Sequence, residues 1–251
     1  MKKRSAPVDR PPILELRGPA ATIRLCRPKQ HNRIDPDDIG VLREALRRIE
    51  SSAGTRALVI TGTGSKTFSS GFTVDAIVER LDRSFEVLLD AVERFPLPTI
   101  CALNGSVYGG ATDLALCCDF RIGVRGTRMF MPAARFGLHY YPGGLRRYVQ
   151  AVGLTQAKRL FLTAQPISSE EMLRIGFLTE LVERRELAGK IADYVTALAE
   201  CEPGVVRSMK LQLNAIAGGE RSATRSRSAY EASLRSAELR ARVSALTRRR
   251  R

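Results

Sequence analysis

The segment Asn104-Gly105-Ser106-Val107-Tyr108-Gly109-Gly110-Ala111-Thr112-Asp113 brings together three features that a reactive site needs. The apolar run before it predicts a buried strand that ends at Asn104. Gly109 and Gly110 let a ligand come close to the backbone. The residues beyond them predict a helix through about Cys117, so the Gly110 amide falls in its first turn. An amide there has no partner inside the helix and sits at the positive end, which suits an oxyanion. Asp113 lies three residues on, roughly one turn along the same face. The bland reading also holds: an acid in a first helical turn is favourable by about 0.3–1 kcal/mol without any function.

Two more segments join it. Lys66-Thr67-Phe68-Ser69-Ser70-Gly71-Phe72-Thr73-Val74 follows another buried strand, and the amide just after Gly71 offers a second donor. Two donors from separate loops are what an oxyanion of acyl transfer or enolate chemistry needs. Phe136-Gly137-Leu138-His139-Tyr140-Tyr141-Pro142-Gly143-Gly144-Leu145-Arg146-Arg147 reads as a glycine-rich loop leading into a helix. Its His and two Tyr suit a pocket wall, and a purely structural role for His139 stays open.

The elements that must position these loops follow from periodicity. Residues 13–17 and 20–27 predict a hairpin about Arg17-Gly18-Pro19. Asp35-Pro36-Asp37-Asp38 starts a helix whose apolar face is Ile39, Leu42, Leu46 and Ile49. Strands are predicted at 56–61, 99–103 and 120–124, with an amphipathic helix at 84–95. Helices are predicted at about 144–152, 154–163, 168–175, 187–199, 203–217 and 222–247. Alternating strands and helices, then helices alone, argue an α/β core with a helical C-terminal extension.

Composition narrows the class. At 251 residues, 44% apolar and 27% charged, the chain is ordinary globular protein, neither disordered, collagenous nor a membrane bundle. Its net charge of +15 sits at the ends. Residues 221–251 carry ten Arg and two Glu, while 18–220 are nearly balanced. That tail is either a solvated face or a contact to phosphates. Cys26, Cys101, Cys117, Cys118 and Cys201 form no CxxC pair and read as thiols in a reduced compartment. No metal-ligand spacing appears, and residues 1–12 are basic without the apolar core of a secretory signal. The apolar run 98–118 is too polar to span a membrane. A cytoplasmic protein is expected.

In order and spacing, RALVITGTGSKTFSSGFTV (56–74), PTICALNGSVYGGATDLALCCDFRI (98–122) and AKRLFLTAQPISSEEMLRIGFLTELV (157–182) resemble the crotonase family of enoyl-CoA hydratases and isomerases. The resemblance covers about residues 12–247. It implies a crotonase-like spiral of ββα units over 13–200 and a helical region at 201–251 that packs subunits into a homotrimer or a hexamer, while residues 1–12 read from their composition as a flexible basic arm. It implies an acyl-CoA thioester as partner, with coenzyme A part of the substrate and no separate cofactor; no membrane partner is expected, and the near-neutral body disfavours a nucleic-acid partner. By position the oxyanion amides fall on Phe72 and Gly110, beside Gly71 and Gly109. The family's first catalytic glutamate falls on Asp113 and its second on Ala133. His139 and Tyr140 resemble pocket-lining positions, and Lys29 and Arg27 resemble the nucleotide side of the site.

The departures shape the expected reaction. Ala133 can neither hold water nor move a proton, so single-carboxylate proton transfer, as in a double-bond isomerase, is expected over ordinary hydration. Hydrolysis and C–C cleavage stay open within the class. Phe72 is bulky where the family's residue is small, and Asp75 stands where Lys is frequent. The alternative is a member of reduced activity that binds RNA or acyl-CoA through its basic tail.

Overall fold

The structure is a computed structural model that describes residues 9–219 and 223–249. Residues 1–8 of the basic arm, and Arg250 and Arg251 of the basic tail, lie outside the described residues, as do the side chains of 246–249. The chain divides into two compact units, Met1–Glu200 and Cys201–Arg251.

The strands of the first unit are β1 (Ile13–Arg17), β2 (Ala20–Leu25), β3 (Ala57–Gly62), β4 (Thr67–Ser69), β5 (Thr99–Leu103), β6 (Ser106–Tyr108), β7 (Phe120–Val124), β8 (Arg128–Phe130), β9 (Ile167–Ser168) and β10 (Glu180–Val182). Its helices are α1 (Asp38–Glu50), α2 (Ile77–Arg80), α3 (Arg83–Glu93), α4 (Gly110–Leu116), α5 (Pro142–Thr163), α6 (Ser169–Arg174) and α7 (Leu187–Glu200). The large sheet runs β1-β2-β3-β5-β7-β10, parallel throughout except for the antiparallel β1–β2 hairpin.

That sheet is covered on both faces, and its central strands are continuously apolar for that reason. Side chains alternate between two cores. Leu58, Ile60, Cys101 and Leu103 join the core built with α1, α3 and α4. Ala57, Val59, Ile100, Ala102 and Ile122 face the opposite way, against Leu187 and Val195 of α7. The helical faces come from the expected spacing: Ile39, Leu42, Leu46 and Ile49 in α1, and Phe85, Leu88, Leu89 and Val92 in α3. α5 breaks at Gly153, whose φ of 77° leaves the helical region.

A second, smaller sheet runs β4-β6-β8-β9, with β4, β6 and β8 parallel. Sequence periodicity gave the segment containing β4 as a loop. Strands of two or three residues are too short to show a two-residue alternation. This sheet nevertheless sets the site. β4 delivers the chain to Gly71, β6 to Gly109 and β8 to Pro132, all at the carboxyl ends of parallel strands.

The second unit holds α8 (Pro203–Ala217), α9 (Ala223–Leu234) and α10 (Ala237–Arg249). The single helix expected over 222–247 is two. Ser236 ends the first path and caps the next helix, its hydroxyl accepting from the Leu239 amide at 3.1 Å. No helix among the described residues is long and apolar enough to cross a membrane.

Candidate functional site

The first loop is held by a strap from residues 31–34. The Ile34 amide donates to the Gly71 carbonyl at 2.8 Å, and the Ser70 amide donates to the His31 carbonyl at 2.9 Å. Ser69 donates its hydroxyl to the Asn32 carbonyl and accepts from the Gly71 amide. The buried Asn32 side chain donates to the carbonyls of Thr63 and Thr67. These bonds fix the backbone leading to Phe72, and the Thr73 amide, donating to the Ile34 carbonyl at 3.1 Å, fixes it beyond, yet the Phe72 amide donates to no described residue.

The second loop follows β6. The Gly109 amide donates to the Phe130 carbonyl, and Thr112 caps back onto the Gly109 carbonyl. Gly109 has φ of +53°. The Gly110 amide, first in α4, also donates to no described residue. The two loops touch backbone to backbone. A Cβ on Gly71 would lie 2.5 Å from the Gly110 nitrogen, and one on Gly110 would lie 3.6 Å from the Phe72 nitrogen. Two free amides thus sit side by side, where glycine alone permits the approach.

The residues that carry these amides line a cavity of about 620 Å³. Ser70, Phe72, Gly109 and Gly110 line it, as do Pro132 and Ala133 at the end of β8. The Phe72 side chain is buried edge-on against Phe85, at 5.4 Å between ring centres. Ala133 is buried and leaves that wall without a carboxylate. His139, Tyr140 and Tyr141 form another wall. His139 has its Nδ1 2.9 Å from the Tyr140 carbonyl; a proton there leaves Nε2 as the acceptor. Asp82, Arg83 and Glu86, from the start of α3, add the charged part of the lining.

Asp113 takes a different place from the one its spacing suggested. It is fully buried and does not line the cavity. Tyr140 and Tyr141 stand between, both donating to its Oδ2, Tyr140 at 3.3 Å. From behind, Arg147 donates Nε to Oδ1 at 2.8 Å and Nη2 to Oδ2 at 3.1 Å. Arg147 in turn meets Asp90 at 3.0 Å and Glu93 at 2.9 Å, and Arg146 meets Glu93. Burial, then the charge of Asp113, pushes the Tyr140 and Tyr141 phenols well above their ordinary range. Burial works against the Arg147 charge and is the largest single influence, but the Asp113 bond and the surrounding negative charges together outweigh it and hold the guanidinium protonated.

Of the residues singled out by spacing, Phe72, Gly109, Gly110, His139 and Tyr140 line one cavity, whereas Gly71, Arg27 and Lys29 do not. Arg27 is engaged by Asp35 at 2.9 Å and by Asp38, because a largely buried guanidinium needs carboxylate partners. Lys29 lies in the turn Pro28–Gln30, its amide donating to Asp9. The sequence reading gave no role to Arg147, Asp90 or Glu93. A signal was present: Arg147 sits on a helix face with buried neighbours, where an arginine requires a counter-charge. Asp90 and Glu93 share one helical face, three residues apart.

Short parallel strands delivering paired glycine loops to an apolar cavity define an α/β fold built around two free amides. The chain belongs to the enoyl-CoA hydratase/isomerase family of enzymes, whose sequence profile matches residues 17–238. It is 31% identical over 209 residues to the short-chain-enoyl-CoA hydratase of Clostridium acetobutylicum, covering 80% of each chain. It is 32% identical over 187 residues to the crotonyl-CoA hydratase of Syntrophomonas wolfei, covering 71% of this chain and 72% of that one. The crystal structure of an enoyl-CoA hydratase from Bacillus anthracis shares the fold, with a TM-score of 0.84 at 24% identity over 96% of this chain and 97% of that one.

Proposed function

We propose that the protein acts on an acyl-CoA thioester and stabilises its enolate in an oxyanion hole made by the amides of Phe72 and Gly110. One observation carries this reading: two neighbouring amides, neither with an acceptor among the described residues, belong to residues that line an apolar cavity. Preorganised donors of this kind stabilise the negative charge that a thioester oxygen gains when the neighbouring carbon loses a proton. Proton transfer is isomerase-like, because Ala133 removes the second carboxylate that holds water for hydration.

Asp113 acts through the phenols in front of it. As a carbon of the acyl group gives a proton to the Tyr141 oxygen, the phenol's own proton passes to Asp113; the reverse movement returns a proton to the other end of the displaced double bond. Arg147 fixes the carboxylate that receives it. The test offers saturated, 2-enoyl and 3-enoyl CoA thioesters and reads products by mass and by double-bond position. Migration of the 3-enoyl double bond without added water is the expected result; net hydration defeats the isomerase reading. Asp113→Asn lowers turnover by roughly 10²–10⁴-fold while acyl-CoA still binds. Unchanged turnover removes Asp113 from the reaction.

The same reading makes the second unit the place of subunit contact. Met209, Leu213, Ile216 and Leu234 are all more than half exposed. A solution mass of three or six chains is expected by light scattering, and a monomer opposes it. The buried thiols of Cys26, Cys101, Cys117 and Cys118 support a reduced, cytoplasmic setting.

A further inference from the structure

We infer that the acyl group taken by this site is an uncharged aryl group, an inference that rests on the acyl-CoA reading above. The chain holds nine Phe, six Tyr and no Trp. Seven of those fifteen aromatic residues line the one cavity beside the two free amides. Phe72 and Phe85 meet edge to face, and Tyr140 and Tyr141 stack at 4.6 Å between ring centres. Phe130, Phe136 and Tyr108 line it as well. Rings arranged in this way offer both edges and faces, which a flat aromatic group exploits and a flexible alkyl chain does not.

The remaining walls fit the same guest. Ala133 presents a methyl group where a glutamate would narrow and charge the cavity. Met131 and Leu138 extend the apolar surface. A cavity of about 620 Å³ has room for an aryl acyl group together with the thioester end of its carrier. The charged groups come from one turn of α3: Asp82, Arg83 and Glu86. Two acids to one base disfavour a guest with its own carboxylate.

Competition binding with phenylpropanoyl-CoA, octanoyl-CoA, butyryl-CoA and glutaryl-CoA tests the inference. Phenylpropanoyl-CoA is expected to bind about tenfold more tightly than octanoyl-CoA, and glutaryl-CoA most weakly. Phe136 is 55% exposed, so Phe136→Ala keeps the fold and is expected to shrink the aryl preference to about threefold or less. Octanoyl-CoA or butyryl-CoA binding as tightly as the aryl thioester overturns the aryl assignment and leaves the acyl-CoA reading intact. Glutaryl-CoA binding best overturns the uncharged class. Failure of every thioester to bind removes both readings together.

Discussion

Arg147 meets Asp113 side-on, with Nε 2.8 Å from Oδ1 and Nη2 3.1 Å from Oδ2, and neither side chain is open to solvent. This pairing decides how the site is built. The carboxylate that the family pattern places near the substrate is enclosed, and the two phenols that donate to it line the cavity wall. Removing the arginine alone leaves a buried carboxylate without its counter-charge. Arg147→Met is expected to lose about 3–5 kcal/mol of stability in urea unfolding. The double variant Asp113→Leu with Arg147→Met recovers most of it. A single variant within 1 kcal/mol of the parent contradicts this account.

Gly71 tests the amide pair without touching a side chain. Its φ is +81°, and an added Cβ lies 2.5 Å from the Gly110 nitrogen and 2.7 Å from the Ala111 nitrogen. Backbone atoms cannot swing aside as a side chain can, so the two loops must part. Gly71→Ala is expected to lower kcat by about 10²–10³-fold, the cost of losing one oxyanion donor. Its circular dichroism stays native. A variant with native turnover shows that the amides need no such approach.

The parts legible in the sequence were those with long periods or strong punctuation. The apolar faces of α1 and α3, the β1–β2 hairpin and the break of α5 at Gly153 all follow from residue spacing and glycine. So does the placing of Phe72 and Gly110 at the ends of two strand-to-loop segments. The second sheet was hidden because β4, β6, β8 and β9 are two or three residues each. The position of Asp113 was hidden for another reason. Helical spacing puts it on the same face as Gly110, but what stands between it and the cavity comes from residues 140 and 141, far along the chain. Tertiary partners such as Arg147 settle that question, and local pattern does not reach them.

Alkaline pH reads the same cluster. Burial pushes the phenols of Tyr140, Tyr141 and Tyr148 far up, with Asp113 adding to the effect at each and the Thr112 bond opposing it at Tyr148. In the unfolded chain these groups lose their protons near pH 10. The folded state therefore binds protons that the unfolded state has released. Their contribution to stability is complete below about pH 10 and falls as pH rises beyond it. Phenolate absorbance from these three residues is expected to appear only together with loss of the folded spectrum. Their ionisation near pH 10 in a native protein counts against the buried cluster.

Gly144 supplies the space that the tyrosine wall occupies. It is buried in the first turn of α5, and a Cβ there would overlap the edge of the Tyr140 ring and lie 2.9 Å from Asp113 Oδ2. The ring cannot retreat toward Asp113, since Tyr141 and Arg147 already fill that side. It cannot advance without entering the cavity. Gly144→Ala therefore pushes Tyr140 into the acyl site or costs stability of about 1–3 kcal/mol through overpacking. The two results separate by experiment: urea unfolding reads the second, and a rise in the Kd of acyl-CoA thioesters at unchanged stability reads the first. Gly143 is the control. A Cβ there meets the Arg147 guanidinium and Asp90 Oδ1 no closer than 3.5 Å, an ordinary contact. Gly143→Ala is expected to leave both readouts within about 0.5 kcal/mol of the parent. Equal effects at the two glycines would mean that the helix start, rather than the Tyr140–Asp113 contact, sets the geometry of the wall.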